Sequence, residues 1–253
     1  MSALPGTTWR MLAQRAATGE LPKGADAAWD AAVGYLGRFK PRCRIFLRRA
    51  EEVLALEKRF IDLADEALQE KARELRAVFL RGRETGEILR EAFAVIREVA
   101  FRQLGMRPFL VQVAGAMAME AGCIAEMATG EGKTLTATMP AVIGGWRGRG
   151  CHVITVNDYL ARRDAEWMSK VYAFCGLKTA YIDGPMEPPA RKEAYQADIT
   201  YCTNKEVTAD YLRDRLSLGR LRGLPSALLA RIIDGTGSGT DRVVQRGLAY
   251  AIV

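Results

Sequence analysis

The segment Met127-Ala128-Thr129-Gly130-Glu131-Gly132-Lys133-Thr134 carries the residue types that a polyphosphate requires. Gly130 and Gly132 let the backbone approach a ligand, so that successive N–H groups, Glu131 included, point at phosphate oxygens. The positive end of a following helix adds to that field. Lys133 is placed to reach the β- and γ-phosphates, and the Thr134 hydroxyl to join the coordination of Mg²⁺. This is the chemistry of an ATP-binding P-loop, although the full pattern opens with a glycine where this chain has Met127.

Such a loop needs a strand before it and a helix after it. Cys123-Ile124-Ala125 is the expected strand, and a helix should leave from about Gly132, with a kink or an early end at Pro140, which removes one backbone hydrogen bond. Four further apolar runs read as strands: His152–Val156, Lys178–Ile182, Asp198–Cys202 and Ala249–Val253. Their spacing leaves room for a helix in nearly every connection, the pattern of βαβ units building a buried parallel sheet. A last strand at the chain's final five residues suggests a fragment.

Upstream the texture is helical. Val53, Leu56, Phe60, Leu63 and Ala67 recur at three- and four-residue spacing between Arg44 and Phe79. Asp65 is a candidate cap for a second segment carrying Leu68, Leu75 and Phe79. Arg81 to Gly86 breaks the pattern. A third helix, roughly Glu87 to Leu104, sets Ile88, Ala92, Val95 and Val99 on one face, and Gly105 suits the left-handed position beyond its end. The expected organisation is therefore a poorly structured extension over 1–45, a helical segment over 46–105, and an incomplete nucleotide-binding domain over 106–253. Leu212 to Arg231 is helical in composition but interrupted by glycines and Pro225, and Gly235 to Gly239 reads as a flexible surface loop.

The net charge of +7, from 37 Lys+Arg against 30 Asp+Glu, favours an anionic partner: nucleotide, nucleic acid or acidic lipid. Five scattered cysteines and the single histidine, His152, make no zinc site and fit a reducing cytosol. Cys123, Cys151 and His152 read as strand-start core residues. The longest weakly polar run, Val111 to Met119, falls far short of the ~20 residues of a membrane span, and the N-terminus lacks a signal-peptide core, so a soluble or peripheral protein is expected.

Met106-Arg107-Pro108-Phe109-Leu110-Val111-Gln112 holds a glutamine whose amide matches the donor–acceptor edge of adenine and an aromatic ring that could stack on it. Taken alone, Phe109 reads as core and Gln112 as surface. Gln112 lies eighteen positions before Gly130, however, and this stretch with Ala125 to Thr134 closely resembles the SecA family of preprotein translocase motors. So do Val156 to Trp167, Ala197 to Tyr201 and Asp210-Tyr211-Leu212-Arg213-Asp214. The resemblance covers about Leu63 to Val253. It implies an α/β, RecA-like P-loop parallel sheet flanked by helices, with Gln112 on adenine, Phe109 and Arg107 lining that pocket, and Gly130 to Thr134 holding the phosphates and Mg²⁺. Asn157-Asp158-Tyr159 and Thr203-Asn204 would stand where such motors couple nucleotide state to cargo.

The chain departs from the family at Cys202, Lys205 and Val207 to Ala209, and in a longer insertion from about Leu216 to Asp241. The family's Asp-Glu pair, expected just after Val253, is absent, so no catalytic residue is assigned within this chain. It should bind nucleotide weakly and hydrolyse it negligibly alone. The resemblance implies a secretory preprotein and the Sec membrane channel as partners, no nucleic acid, and a cytoplasmic location peripheral to the inner membrane. Acidic phospholipid, through Arg38, Lys40, Arg42, Arg44, Arg48 and Arg49, and a homodimer stay open. A helicase-like ATPase and an inactive nucleotide-binding remnant are the alternatives.

Overall fold

The computed structural model describes residues 42–218 and 243–253, with Gly24, Ala25, Ala27, Ala28, Trp29 and Ala32 before them. Arg38, Lys40, the Gly235 to Gly239 run and residues 219–242 of the insertion lie outside the described residues, as does most of the 1–45 extension. Two compact units divide the chain at Ile45 and Phe46. The larger, Phe46–Val253, holds the helical segment and the sheet together.

Helix α1 (Arg42–Leu56) ends in a 3-10 turn at Glu57–Arg59, so the continuous stripe expected through Ala67 is interrupted and Ala67 is exposed. Helix α2 (Asp65–Leu80) buries Leu68, Leu75 and Phe79 as their spacing predicts. Ala64, not Asp65, is its N-cap residue, and the Asp65 carboxylate instead accepts from Arg102 at 2.7 Å. The extended backbone falls one residue earlier than the capping residue type suggests, leaving Asp65 in the first turn, where its charge still favours the helix dipole. In α3 (Gly86–Leu104), the Thr85 hydroxyl accepts from Ile88 N, and Gly105 closes the end at φ 69°. Helix α4 (Leu110–Glu120) then leads to the phosphate loop, and α5 (Lys133–Trp146) leaves it.

The sheet is four parallel strands in the order β2-β3-β1-β4: β1 (Cys151–Thr155), β2 (Thr179–Tyr181), β3 (Ile199–Thr203) and β4 (Tyr250–Ile252). Cys151 pairs with Ile199 on one side and Tyr250 on the other. Helices α6 (Asp158–Phe174), α7 (Pro188–Tyr195) and α8 (Asn204–Leu218) fill the connections. Alternation along β3 divides the core. Ile199 and Tyr201 join the large cluster with Trp146, Met168 and Phe79, whereas Cys202 joins a smaller one with Ile182, Tyr195 and Val244.

Two sequence expectations fail here. Cys123-Ile124-Ala125 is not a strand, and Ile124 is 99% exposed. A strand needs a neighbour for its N–H and C=O groups, and no described strand pairs with this segment. Cys123 is accordingly only half-buried. The second is an early end at Pro140, beyond which α5 in fact continues to Trp146. A proline costs a helix roughly 3 kcal/mol, but complete burial of Met139, Val142, Ile143 and Trp146 returns roughly 1.5–3 kcal/mol for each aliphatic side chain. The paired glycines of this helix permit that packing: an added Cβ at Gly144 would meet Tyr250 at 2.7 Å, and one at Gly145 would meet Leu177 at 2.9 Å.

Candidate functional site: a phosphate loop backed by a buried glutamine

The chain enters the loop from a segment, residues 123–128, without regular secondary structure. Met127, at the irregular first position of the motif, sets its sulfur beside Gly115 of α4, where an added Cβ would meet it at 3.6 Å. The loop turns through Gly130 at φ 87° and Gly132 at φ 76°, and Glu131 N approaches Ala128 O at 3.4 Å. Helix α5 starts at Lys133, with Thr136 N bonded to Gly132 O. The first four N–H groups of a helix have no carbonyl partner within it, so those of Lys133, Thr134 and Leu135, at the start of α5, are left to a ligand or water. The Lys133 ammonium donates to Ala128 O at 3.1 Å, its side chain folded across the loop. This donor set, backbone N–H groups and one ammonium in an exposed turn, fits a polyphosphate.

Gln112 and Phe109 reverse the placements that each would have in isolation. Gln112 is 7% exposed and Phe109 is 72% exposed. The Gln112 carbonyl oxygen accepts from Phe109 N at 2.9 Å, and its amide donates to Glu131 O at 2.8 Å. One side chain therefore closes the first turn of α4 and touches the phosphate loop nineteen residues away. An amide has two N–H groups and two carbonyl lone pairs, so one donor and one acceptor stay available. An added Cβ at Gly132 would collide with the Gln112 amide nitrogen. Glycine is needed there for the positive φ and for this approach alike.

Arg107 is turned into an ion-pair network. Its guanidinium bonds Glu57, reaches Glu98 at 3.2 Å and lies 4.0 Å from the centre of the Phe101 ring. Arg97 also bonds Glu57 and donates to Pro108 O at 2.7 Å. Burial holds the Arg97 guanidinium below its ordinary pKa, against the pull of Glu98. Sequence spacing did not reveal this network, because its members are scattered from residue 57 to 107. It ties the segment before Phe109 to the helical layer.

The remaining motif residues take structural positions. Asn157 caps α6, its side chain accepting from Leu160 N at 2.8 Å, while Asp158 accepts from Gly184 N at 3.1 Å. Thr203 accepts from Glu206 N at 3.3 Å beside Asn204 at the start of α8, and the Tyr159 ring is exposed. Asp210 and Asp214 are buried anchors. Asp210 binds Arg191 at 3.0 Å, Arg213 at 2.7 Å and the Tyr195 hydroxyl at 2.9 Å. Asp214 accepts from Val244 N and Gln245 N, and burial raises its pKa against those two hydrogen bonds. Arg191, which also pairs with Glu206 at 2.7 Å, carried no sequence signal. His152 is buried against Tyr195, and burial pushes its pKa down to about 4. Cys151 is buried on β1 as expected, and all five cysteines are free. Among the described residues, no helix is long and apolar enough to cross a membrane.

Residues 39–253 match the SecA DEAD-like domain family, well upstream of the Leu63 start read from motifs alone. The chain is 47% identical over 205 residues to the protein translocase subunit SecA of Carboxydothermus hydrogenoformans, covering 81% of this chain and 21% of the relative. It is 52% identical over 206 residues to the SecA of Desulforamulus reducens, with the same two coverages. With protein translocase subunit SecA 1 of Corynebacterium diphtheriae it shares 46% over 204 residues, 81% of this chain and 22% of the relative. The chain thus spans about a fifth of the length of these curated relatives. With the glutamine, the phosphate loop and the parallel sheet assembled in one unit, and the match running from residue 39 to Val253, the chain belongs to the SecA DEAD-like domain family.

Proposed function

We propose that this chain is the ATP-binding part of a SecA-type motor that couples nucleotide turnover to preprotein translocation through the Sec channel, at the cytoplasmic face of the membrane. The observation that carries the nucleotide reading is the hydrogen bond from Gln112 to the Glu131 carbonyl, which joins an adenine-matching amide to the phosphate loop. Gln112 presents its remaining donor and acceptor to the adenine edge, and Phe109 supplies an exposed stacking face. Arg107 stands at the rim, its charge engaged by Glu57 and Glu98. Gly130 to Thr134 surround the phosphates with N–H groups, Lys133 exchanges the Ala128 carbonyl for phosphate oxygen, and the Thr134 hydroxyl offers a ligand to Mg²⁺. Bound Mg²⁺ neutralises phosphate charge and assists phosphoryl transfer.

Translocation is supported by the names of the relatives, all protein translocase subunits SecA, and by the four motif blocks in family order. Binding of fluorescent ADP and GDP to the purified chain tests the first half: adenine should be preferred, and Gln112→Ala should erase the preference. ATPase stimulation of the full-length protein by channel-containing membranes and preprotein, compared with RNA or DNA, tests the second. Stimulation by nucleic acid alone would replace the translocase with a helicase-like motor.

A further inference from the structure

The block Val156 to Trp167 contains a buried carboxylate that the coupling and capping assignments leave without a role. Asp164, on the inner face of α6, is 7% exposed. One of its carboxylate oxygens accepts twice from Arg163, at 2.9 and 2.6 Å. The other faces the Thr134 hydroxyl at 3.5 Å, a long hydrogen bond between α6 and the first turn of α5. Thr134 is the residue proposed above as the Mg²⁺ ligand.

A threonine hydroxyl has one proton and two lone pairs. Inside a helix that proton commonly goes to the carbonyl four residues back, as it does for Thr136 and Thr138 in this same helix. For Thr134 that carbonyl belongs to Gly130 in the loop, and the acceptor used is Asp164. Donation to a carboxylate turns the oxygen's lone pairs away from α6 and makes the oxygen a better ligand, the arrangement by which groups behind a metal's ligands fix their orientation. We infer that Asp164 is a positioning residue for the cation site: it holds the Thr134 hydroxyl proton so that the oxygen is oriented towards Mg²⁺, and Arg163 in turn holds Asp164. This inference rests on the nucleotide-binding reading of the loop.

The test measures affinity of the full 253-residue chain for a fluorescent ADP in EDTA and in Mg²⁺, with Mn²⁺ uptake by the nucleotide-bound chain followed by electron paramagnetic resonance. Asp164→Ala should leave the EDTA affinity unchanged and weaken cation binding about 10–100-fold. Asp164→Asn, which keeps an acceptor, should recover part of that loss, and Arg163→Ala should give a smaller loss. Unchanged cation affinity in Asp164→Ala overturns the inference while leaving nucleotide binding intact. An equal fall in EDTA and in Mg²⁺ in all three variants, with a lower melting temperature, assigns Asp164 to packing alone and also overturns it. A parent chain that binds ADP without enhancement by Mg²⁺ removes the cation from Thr134. A parent chain that binds no ADP at all removes the nucleotide reading itself, and the inference with it.

Discussion

At the phosphate loop, Lys133 lies across an exposed turn with the Ala128 carbonyl as its hydrogen-bond partner, and the first N–H groups of the helix that follows have no carbonyl partner within it. At the far side of the sheet, Arg191 is enclosed by Glu206, Asp210 and the carbonyls of Asp183, Gly184 and Met186. Both regions concentrate polar groups around a cation. They differ in what the protein leaves to an outside partner. The Arg191 cluster satisfies its charges internally and so behaves as core; the loop keeps donors in reserve, which is the requirement for binding an anion.

The largest effect should come from opening the closed cluster. Asp210→Ala strands Arg191 and the Tyr195 hydroxyl, and should destabilise the chain by about 3–5 kcal/mol in urea unfolding. A near-neutral result would mean that the cluster is not the closed structure described.

His152, packed beside the same cluster, gives a pH-dependent version of the test. Its folded pKa of about 4 lies below the ordinary histidine value of 6.5, so the unfolded chain binds more protons between those values. The stability it contributes is complete above pH 6.5 and is lost as pH falls towards 4, by up to about 3 kcal/mol. His152→Leu should flatten the profile in that window. As the single histidine, its ring proton can be followed by NMR titration without assignment ambiguity.

Gly132→Ala tests the loop itself. The left-handed backbone costs about 1–2 kcal/mol, and the collision with Gln112 adds to it. Gln112→Ala in the same chain should recover the collision and leave the backbone cost, as a double-mutant cycle measures. Lys133→Ala should change stability least, within about 0.5 kcal/mol. It should nevertheless weaken ADP binding about 10–100-fold, the equivalent of one lost charge-assisted hydrogen bond. Large destabilisation by Lys133→Ala would erase the contrast between the two regions.

Local chemistry was legible in the chain. The glycine, lysine and threonine of the loop, the helical stripes of α2 and α3, the Gly105 end and the four strands of the sheet follow from short-range rules. Side-chain period and turn conformation act over a few residues. What those rules could not supply is partnership at a distance. A strand at Cys123 needed a neighbour that the described sheet does not offer. The helix at Pro140 was rescued by burial of residues packed on β1 and β3. Phe109 and Gln112 exchanged their expected exposures because Gln112 found Glu131, and Arg191 acquired its place only when α7 met α8. The sequence by itself determined the residue types that the loop offers and the course of most helices and of the four sheet strands. Only the tertiary structure decided which polar groups satisfy one another and which remain open, because a hydrogen bond or ion pair between remote residues exists only once packing has brought both partners together and removed the competing water.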